Sequence, residues 1–239
     1  MHPALEIPAR FYATLLDILW PPLCAACDEP AWEGGGLCPR CASFLPEAVP
    51  RCARCARQVG PYAVEDPCGR CVDEPTRLDG VITAYAYRGV ARELVLGLKF
   101  RARLEAAAAL GPPLAEALRE AAIPGDLVVP VPLSRRRRRA RGYDQAVLLA
   151  AQVQSALPVP WDPRALQRRR DTPPQTTLSL SRRRRGPRGA FRARRSRVKG
   201  RSILLVDDVL TSGGTANACA VALKRAGARS VVAAVACRA

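Results

Sequence analysis

The sequence contains one histidine, one methionine and only 5% Phe, Trp and Tyr among its 239 residues. The lone histidine, His2, excludes Ser-His-Asp and Cys-His nucleophilic arrangements, which need an imidazole beside the nucleophile. The shortage of aromatics limits base stacking as a mode of nucleic-acid binding: Tyr143, Trp161 and Phe191 are the only rings in the arginine-rich part of the chain. Long apolar runs are also missing. No stretch approaches the roughly 18–20 apolar residues that span a bilayer. The start, Met-His-Pro-Ala-Leu-Glu, lacks the basic and apolar regions of a secretory signal. These absences point to a cytoplasmic protein without membrane insertion, meeting the inner membrane only through partners.

Acidic residues are scarce in one place. Residues 133–201 hold 21 Lys and Arg against Asp144, Asp162 and Asp171, a net of +18, whereas the whole chain carries +17. The rest of the protein is therefore close to neutral. A field confined to one segment favours polyanions, either nucleic acid or phosphorylated small molecules. Individual arginines also serve simply as solvating surface.

The chain divides into three parts. Residues 1–20 read as a helix whose apolar side holds Leu15, Leu16, Ile18, Leu19 and Trp20, stopped by Pro21-Pro22. Residues 21–76 are rich in Pro, Gly and Cys and have little periodicity. Residues 77–239 have the texture of an α/β domain. Strand composition appears at 81–87 and 127–131, with helices at 89–99, 104–121 and 144–156. A β-α-β unit closes the chain: strand 202–207, helix 215–226, strand 230–236. Its strands lack polar alternation, which implies a parallel sheet covered on both faces. Residues 158–200 contain no long apolar element and read as an irregular, mobile basic flap.

Eight of the ten cysteines form four C-x-x-C pairs: Cys24/Cys27, Cys38/Cys41, Cys52/Cys55 and Cys68/Cys71. This spacing lets two thiolates of one tight turn reach a single metal, and two pairs complete a tetrahedral site. Four pairs make two sites. The connecting lengths suit first with second and third with fourth, and an interleaved order also satisfies the count. Disulfides do not suit a cytoplasmic chain, and iron–sulfur clusters use other spacings. Structural Zn²⁺ is expected, supplying the folding energy that a short loop-rich segment cannot draw from a core. Cys219 and Cys237 fall in the last helix and strand and read as small buried hydrophobes.

The apolar strand at 203–206 ends in Asp207-Asp208; Val209 and Leu210 follow, and Thr211-Ser212-Gly213-Gly214-Thr215 opens a helix. Carboxylates at the C-terminal end of a parallel strand face the crevice where open α/β sheets bind ligands. The turn offers backbone N–H groups and three hydroxyls to a phosphate at a helix N-terminus, where the dipole favours an anion. The glycines permit the backbone conformation and close approach. No Gly-Lys-Ser/Thr follows, so this is not a Walker loop.

The segment 207–215 closely resembles the PRPP-binding motif of type I phosphoribosyltransferases. The resemblance implies that Asp207 and Asp208 hold ribose hydroxyls, that residues 211–215 cradle the 5′-phosphate, and that Mg²⁺ accompanies the pyrophosphate. V-P-V-P at 129–132, R-G-Y-D-Q-A at 141–146, R-D-T-P-P-Q at 170–175, G-A-F at 189–191, L-K-F at 98–100 and the leading cysteine pairs together resemble the ComF family. That resemblance implies a type I phosphoribosyltransferase fold behind a zinc module and a role in DNA uptake during natural competence. It also makes Lys99 and Arg141 candidates for holding pyrophosphate. Two positions depart from the family pattern. Asp144 replaces an Asn and places an acid beside the anion pocket, and Arg185-Gly186-Pro187 stands where an Asn precedes G-A-F.

Two functions follow. One is a PRPP-binding protein of DNA uptake whose basic surface holds single-stranded DNA and which meets a competence helicase or channel. The other is an active phosphoribosyltransferase of nucleobase or nucleotide metabolism. The latter needs an acceptor-base pocket, and no segment reads as one.

Overall fold

The computed structural model describes residues 21–32, 36–46, 51–52, 54–60, 67–73, 76–170 and 189–239. The helix expected at 1–20 lies outside the described residues, as does 171–188 of the basic segment. Each half of the cysteine region ends in one helical turn, α1 (Pro39–Ser43) and α2 (Gly69–Asp73). Then follow β1 (Gly80–Ala86), α3 (Gly89–Phe100), α4 (Glu105–Glu120), β2 (Leu127–Pro130), α5 (Arg135–Arg141) and α6 (Gln145–Ala156). Two short strands, β3 (Leu166–Arg168) and β4 (Phe191–Ala193), precede α7 (Arg195–Val198). The chain closes with β5 (Ser202–Leu210), α8 (Gly214–Arg225) and β6 (Ser230–Arg238).

Four strands form a parallel sheet in the order β1-β6-β5-β2, with Val128 beside Leu204, Leu204 beside Val232, and Val232 beside Gly80. Side chains on β5 alternate between two cores, as strand geometry requires. Leu204 and Val206 pack with Leu94, Leu98, Leu110, Leu149 and Val153 of α3, α4 and α6. Ile203 and Leu205 pack with Cys219, Ala220 and Leu223 of α8. Helices on both faces explain why these strands read as continuous apolar runs. Cys219 and Cys237 are fully buried, as expected of small hydrophobes.

Pro112 and Pro113 sit inside α4 without ending it, because Leu110, Leu114 and Leu118 hold its inner face in the core. Gly111 lets α4 approach α6 closely: a Cβ there would come within 2.2 Å of the Gln152 Cβ. A side chain at that position would push the two helices apart.

The basic segment departs from the sequence-based expectation. Its described ends are ordered elements. β3 and β4 pair antiparallel, Arg168 beside Phe191, and Ala165, Leu166, Ala190, Phe191 and Val198 enter the core on the α8 side. Three-residue strands expose too few alternations to register as periodicity, and polar Gln167 and Arg192 occupy their outward positions. The run Arg135–Arg141 is likewise a helix. Ser134 caps it by accepting the Arg137 N–H at 3.3 Å, and Gly142, at φ 82°, ends it.

Candidate phosphate-binding cavity and cysteine centres

The C-terminal ends of β2 and β5, the last turn of α3, and the starts of α6 and α8 enclose a cavity of about 230 Å³. Lys99, Arg141, Asp207–Thr211 and Gly213–Thr215 all line it, so residues far apart in sequence meet here. Ser212 is not among the lining residues. A hollow of about 990 Å³ between the second cysteine module and α8 is larger, yet it has neither paired carboxylates nor a glycine turn.

The strand carrying the acids is longer than its apolar run suggests. β5 continues to Leu210, with Val209 and Leu210 paired to Cys237 and Arg238 of β6. The polar pair interrupts the apolar pattern but not the strand, whose register with β6 skips Asp208 and resumes at Val209. Because successive strand residues face opposite ways, Asp207 turns toward α8 and Asp208 toward α3. Lys99 meets Asp208 at 2.8 Å, and Asp208 is 3% exposed. Its second oxygen, Oδ2, is buried without a hydrogen-bond partner among the described residues. A buried, unsatisfied carboxylate oxygen is costly, so its presence at a cavity wall suits a donor brought by a ligand.

Asp207 accepts the Asp208 N–H at 2.9 Å. Burial, followed by the Asp208 charge, pushes its carboxyl up to about 8, against the opposing pull of Lys99. Beyond the strand, Gly213 takes φ 82° as the residue before α8. A Cβ there would meet nothing within 4 Å among the described residues, so backbone conformation and not space calls for glycine. The turn leaves the first N–H groups of α8 beside the cavity, the arrangement that receives an anion.

The other cavity wall comes from α5 and α6. Arg141 donates to Gln145 Oε1 at 2.8 Å. Asp144 is the N-cap of α6: Oδ1 accepts from Ala146 N and Oδ2 from Leu133 N, both at 3.1 Å. Burial raises its pKa while those N–H groups pull it down. The acid at 144 thus spends both oxygens on backbone donors that an Asn amide could satisfy only in part. Arg137, Gln145 and Arg168 also line the cavity. Gln145 lies in the R-G-Y-D-Q-A motif, which by itself assigns it no role, and nothing in the arginine runs sets Arg137 or Arg168 apart.

The cysteines form two groups of four, Cys24, Cys27, Cys38 and Cys41, and Cys52, Cys55, Cys68 and Cys71, each with sulfurs within 4.8 Å of one another. This fixes the pairing as first with second and third with fourth. Cys27 and Cys38 sulfurs stand 3.7 Å apart, Cys55 and Cys68 3.8 Å, and Cys52 and Cys71 4.0 Å. Zn–S bonds of about 2.3 Å in a tetrahedron require S···S edges of about 3.8 Å. The donors therefore fit Zn²⁺ with no open position.

The two modules repeat one design. Bridges Leu23–Pro30 and Arg51–Gln58 flank equivalent turns, and Asp28 and Ala56, each following the second cysteine, have φ of 65° and 52°. Burial raises the Cys24 thiol, but N–H groups of Cys38, Ala26 and Cys27 outweigh it and bring it to about 6. Cys52 is lowered in the same way.

Both modules are tied to the α/β domain. Arg103 donates to Ala25 O at 3.1 Å and pairs with Asp28 at 2.5 Å. Arg238, 8% exposed at the end of β6, donates to Cys55 O at 2.9 Å, Leu210 O at 2.8 Å and Thr211 O at 2.9 Å. One guanidinium thus joins the second cysteine turn to the start of the loop between β5 and α8.

Residues 15–72 match the double zinc ribbon domain and residues 144–239 the phosphoribosyl transferase domain. The chain is 36% identical over 217 residues to the DNA utilization protein YhgH of Salmonella typhi, covering 88% of this chain and 94% of that protein. It is 29% identical over 203 residues to competence protein F of Haemophilus influenzae, covering 82% and 87% respectively. A solved glutamine PRPP amidotransferase from B. subtilis, complexed with ADP and GMP, is 26% identical with a TM-score of 0.37, covering 53% of this chain. This chain spans 25% of that enzyme's length. The architecture is a phosphoribosyltransferase fold behind a cysteine-rich double zinc ribbon.

Proposed function

Because the chain belongs to the ComF family, we propose that it binds PRPP in the β5–α8 cavity and acts in DNA uptake through a basic nucleic-acid-binding surface. The observation that carries the ligand reading is the buried Asp208 Oδ2, unpartnered among the described residues, beside Lys99 at the tip of β5. Ribose hydroxyls donate to Asp207 and Asp208. The 5′-phosphate takes the N–H groups and hydroxyls of residues 211–215, where the α8 dipole favours its charge. Val209 and Leu210 carry the loop between them. Lys99 and Arg141 face the pyrophosphate, and Lys99 turns to it once a ribose hydroxyl relieves its hold on Asp208. The carboxylate-lined cavity suits Mg²⁺ as the companion of PRPP, which would neutralise pyrophosphate charge when bound. The ribbons hold Zn²⁺ in a structural role.

The basic surface is the exposed side of α5 together with Arg169, Arg170, Arg192, Arg194 and Arg195. Single-stranded DNA binds there through its phosphates, so affinity falls steeply with salt. Among the described residues no helix is long and apolar enough to cross a membrane. The protein works in the cytoplasm and reaches the inner membrane through a competence helicase or channel.

A second reading, turnover of PRPP, is favoured by the placement of Lys99 and both carboxylates in one cavity. Displacement of pyrophosphate passes through a cationic sugar, and positioning with electrostatic stabilisation supplies the catalysis. Calorimetry with PRPP and Mg²⁺ on wild type and on the double variant Asp207→Ala/Asp208→Ala tests the ligand. Single-stranded DNA binding is followed in parallel across a salt series. Loss of PRPP binding with DNA binding retained marks two separate sites. Absence of PRPP binding by the wild type sinks the ligand assignment, and pyrophosphate release with candidate bases establishes turnover.

A further inference from the structure

Phe100 ends α3 one residue beyond Lys99 and is 71% exposed, more than Phe44, Val72 or Trp32. Leaving a large ring in water forfeits the favourable burial that most such side chains find. The ring is also held in place. The guanidinium carbon of Arg141 stands 5.2 Å from its centroid, while Arg141 Nη1 is fixed to Gln145 Oε1 at 2.8 Å. The last turn of α3 is pinned in turn by Tyr143 Oη, which donates to Leu98 O at 2.6 Å, and by Leu98 in the core. The exposure remains after Arg141 covers one face, so the opposite face is open. Lys99, the preceding residue, and Arg141, against the ring, both line the cavity, which places Phe100 at its rim.

We propose that Phe100, backed by Arg141, is a stacking platform for one heteroaromatic base at the mouth of the sugar-phosphate cavity. A base has a π-face of any sequence, and a rigid ring backed by a cation is the surface it stacks on. The platform supplies the base contact that the sequence did not reveal, and it rests on the reading of the cavity as a sugar-phosphate site. The base has two sources, a free nucleobase serving as acceptor or an unstacked base of a single strand whose phosphates lie on α5.

The probe is 2-aminopurine, whose fluorescence is quenched by stacking, offered as the free base and within a single-stranded oligonucleotide. Both are titrated in the presence of PRPP and Mg²⁺ against wild type, Phe100→Tyr and Phe100→Leu. Wild type and Phe100→Tyr quench the probe; Phe100→Leu, which keeps apolar bulk but no ring, loses the quenching and weakens affinity about 5- to 150-fold. Quenching of the free base identifies an acceptor, and quenching of the oligonucleotide alone identifies a strand. Equal quenching by Phe100→Leu and wild type, or none by wild type with either probe, overturns the platform. PRPP calorimetry on the same samples keeps the two failures apart, since Phe100 does not line the cavity. A wild type that binds PRPP but quenches neither probe refutes the platform alone.

Discussion

Replacing Asp207 by Asn is expected to stabilise the ligand-free protein while removing the proposed ribose acceptor. In the fold, burial and the neighbouring Asp208 push the Asp207 carboxyl up to about 8, from an ordinary value of 3.8. Between those values the folded chain keeps a proton that the unfolded chain has released. Rising pH therefore favours unfolding. The contribution is fully present below about pH 4, declines through neutrality, and levels off above about pH 8. Its limiting slope is about 1.4 kcal/mol per pH unit. Cavity water reaching a partly exposed carboxyl reduces the accumulated loss to about 2–3 kcal/mol. Asn keeps an acceptor for the Asp208 N–H, now at 2.9 Å, and does not titrate. Urea unfolding of the zinc-loaded proteins from about pH 5.5 to about pH 8.5 reads the difference. The variant should gain about 2 kcal/mol on the wild type as pH rises across that range. A difference flat in pH, or a variant less stable at the alkaline end, would refute the assignment of a protonated Asp207.

With Asp207 as the proposed ribose ligand, the same carboxyl is expected to make ligand binding pH-dependent. Ribose hydroxyls prefer an ionised acceptor, so PRPP affinity should rise up to about tenfold per unit from about pH 6 to about pH 8, with proton release seen by calorimetry in buffers of different ionisation enthalpy. Lys99→Met should move that inflection upward, because Lys99 pulls the Asp207 carboxyl down. Arg238→Met removes donors to Cys55, Leu210 and Thr211 carbonyls and should cost about 2–4 kcal/mol in urea unfolding. It should also speed zinc loss to a chelator; unchanged zinc release and stability would show that the three bonds hold nothing. Cys71→Ser should lower bound zinc from two ions per chain to one by metal analysis, leaving the Cys24 group loaded.

Much of this was legible in the chain because the signals are local. The C-x-x-C spacing names a ligand set within one turn. Asp207-Asp208 followed by T-S-G-G-T joins a strand tip to a helix start, and its neighbours in sequence are its neighbours in space. Periodicity located α3, α4, α6 and α8 to within a residue or two, since each buries a stripe of apolar side chains. It failed for β3, β4 and α7, where one or two inward residues per element carry the packing and polar residues, arginine above all, fill the rest. It also stopped β5 too early, at the acids, because an apolar run says nothing about ladder bonds.

The cysteine pairs, the excess of arginine and the acidic strand tip with its glycine turn were thus settled by the sequence, each being a short-range pattern with its own chemistry. Tertiary structure decided which of them meet. Only folding sets Lys99 of α3 at 2.8 Å from Asp208 and brings Arg141 to the same cavity. It turns Asp207 and Asp208 to opposite faces of the sheet, and leaves the Phe100 ring outside while Leu98 is buried. Arg238 reaches a cysteine turn far back in the chain for the same reason: a parallel sheet aligns the C-terminal ends of distant strands at one edge. That convergence, which sequence spacing does not encode, is what turns separate motifs into a site.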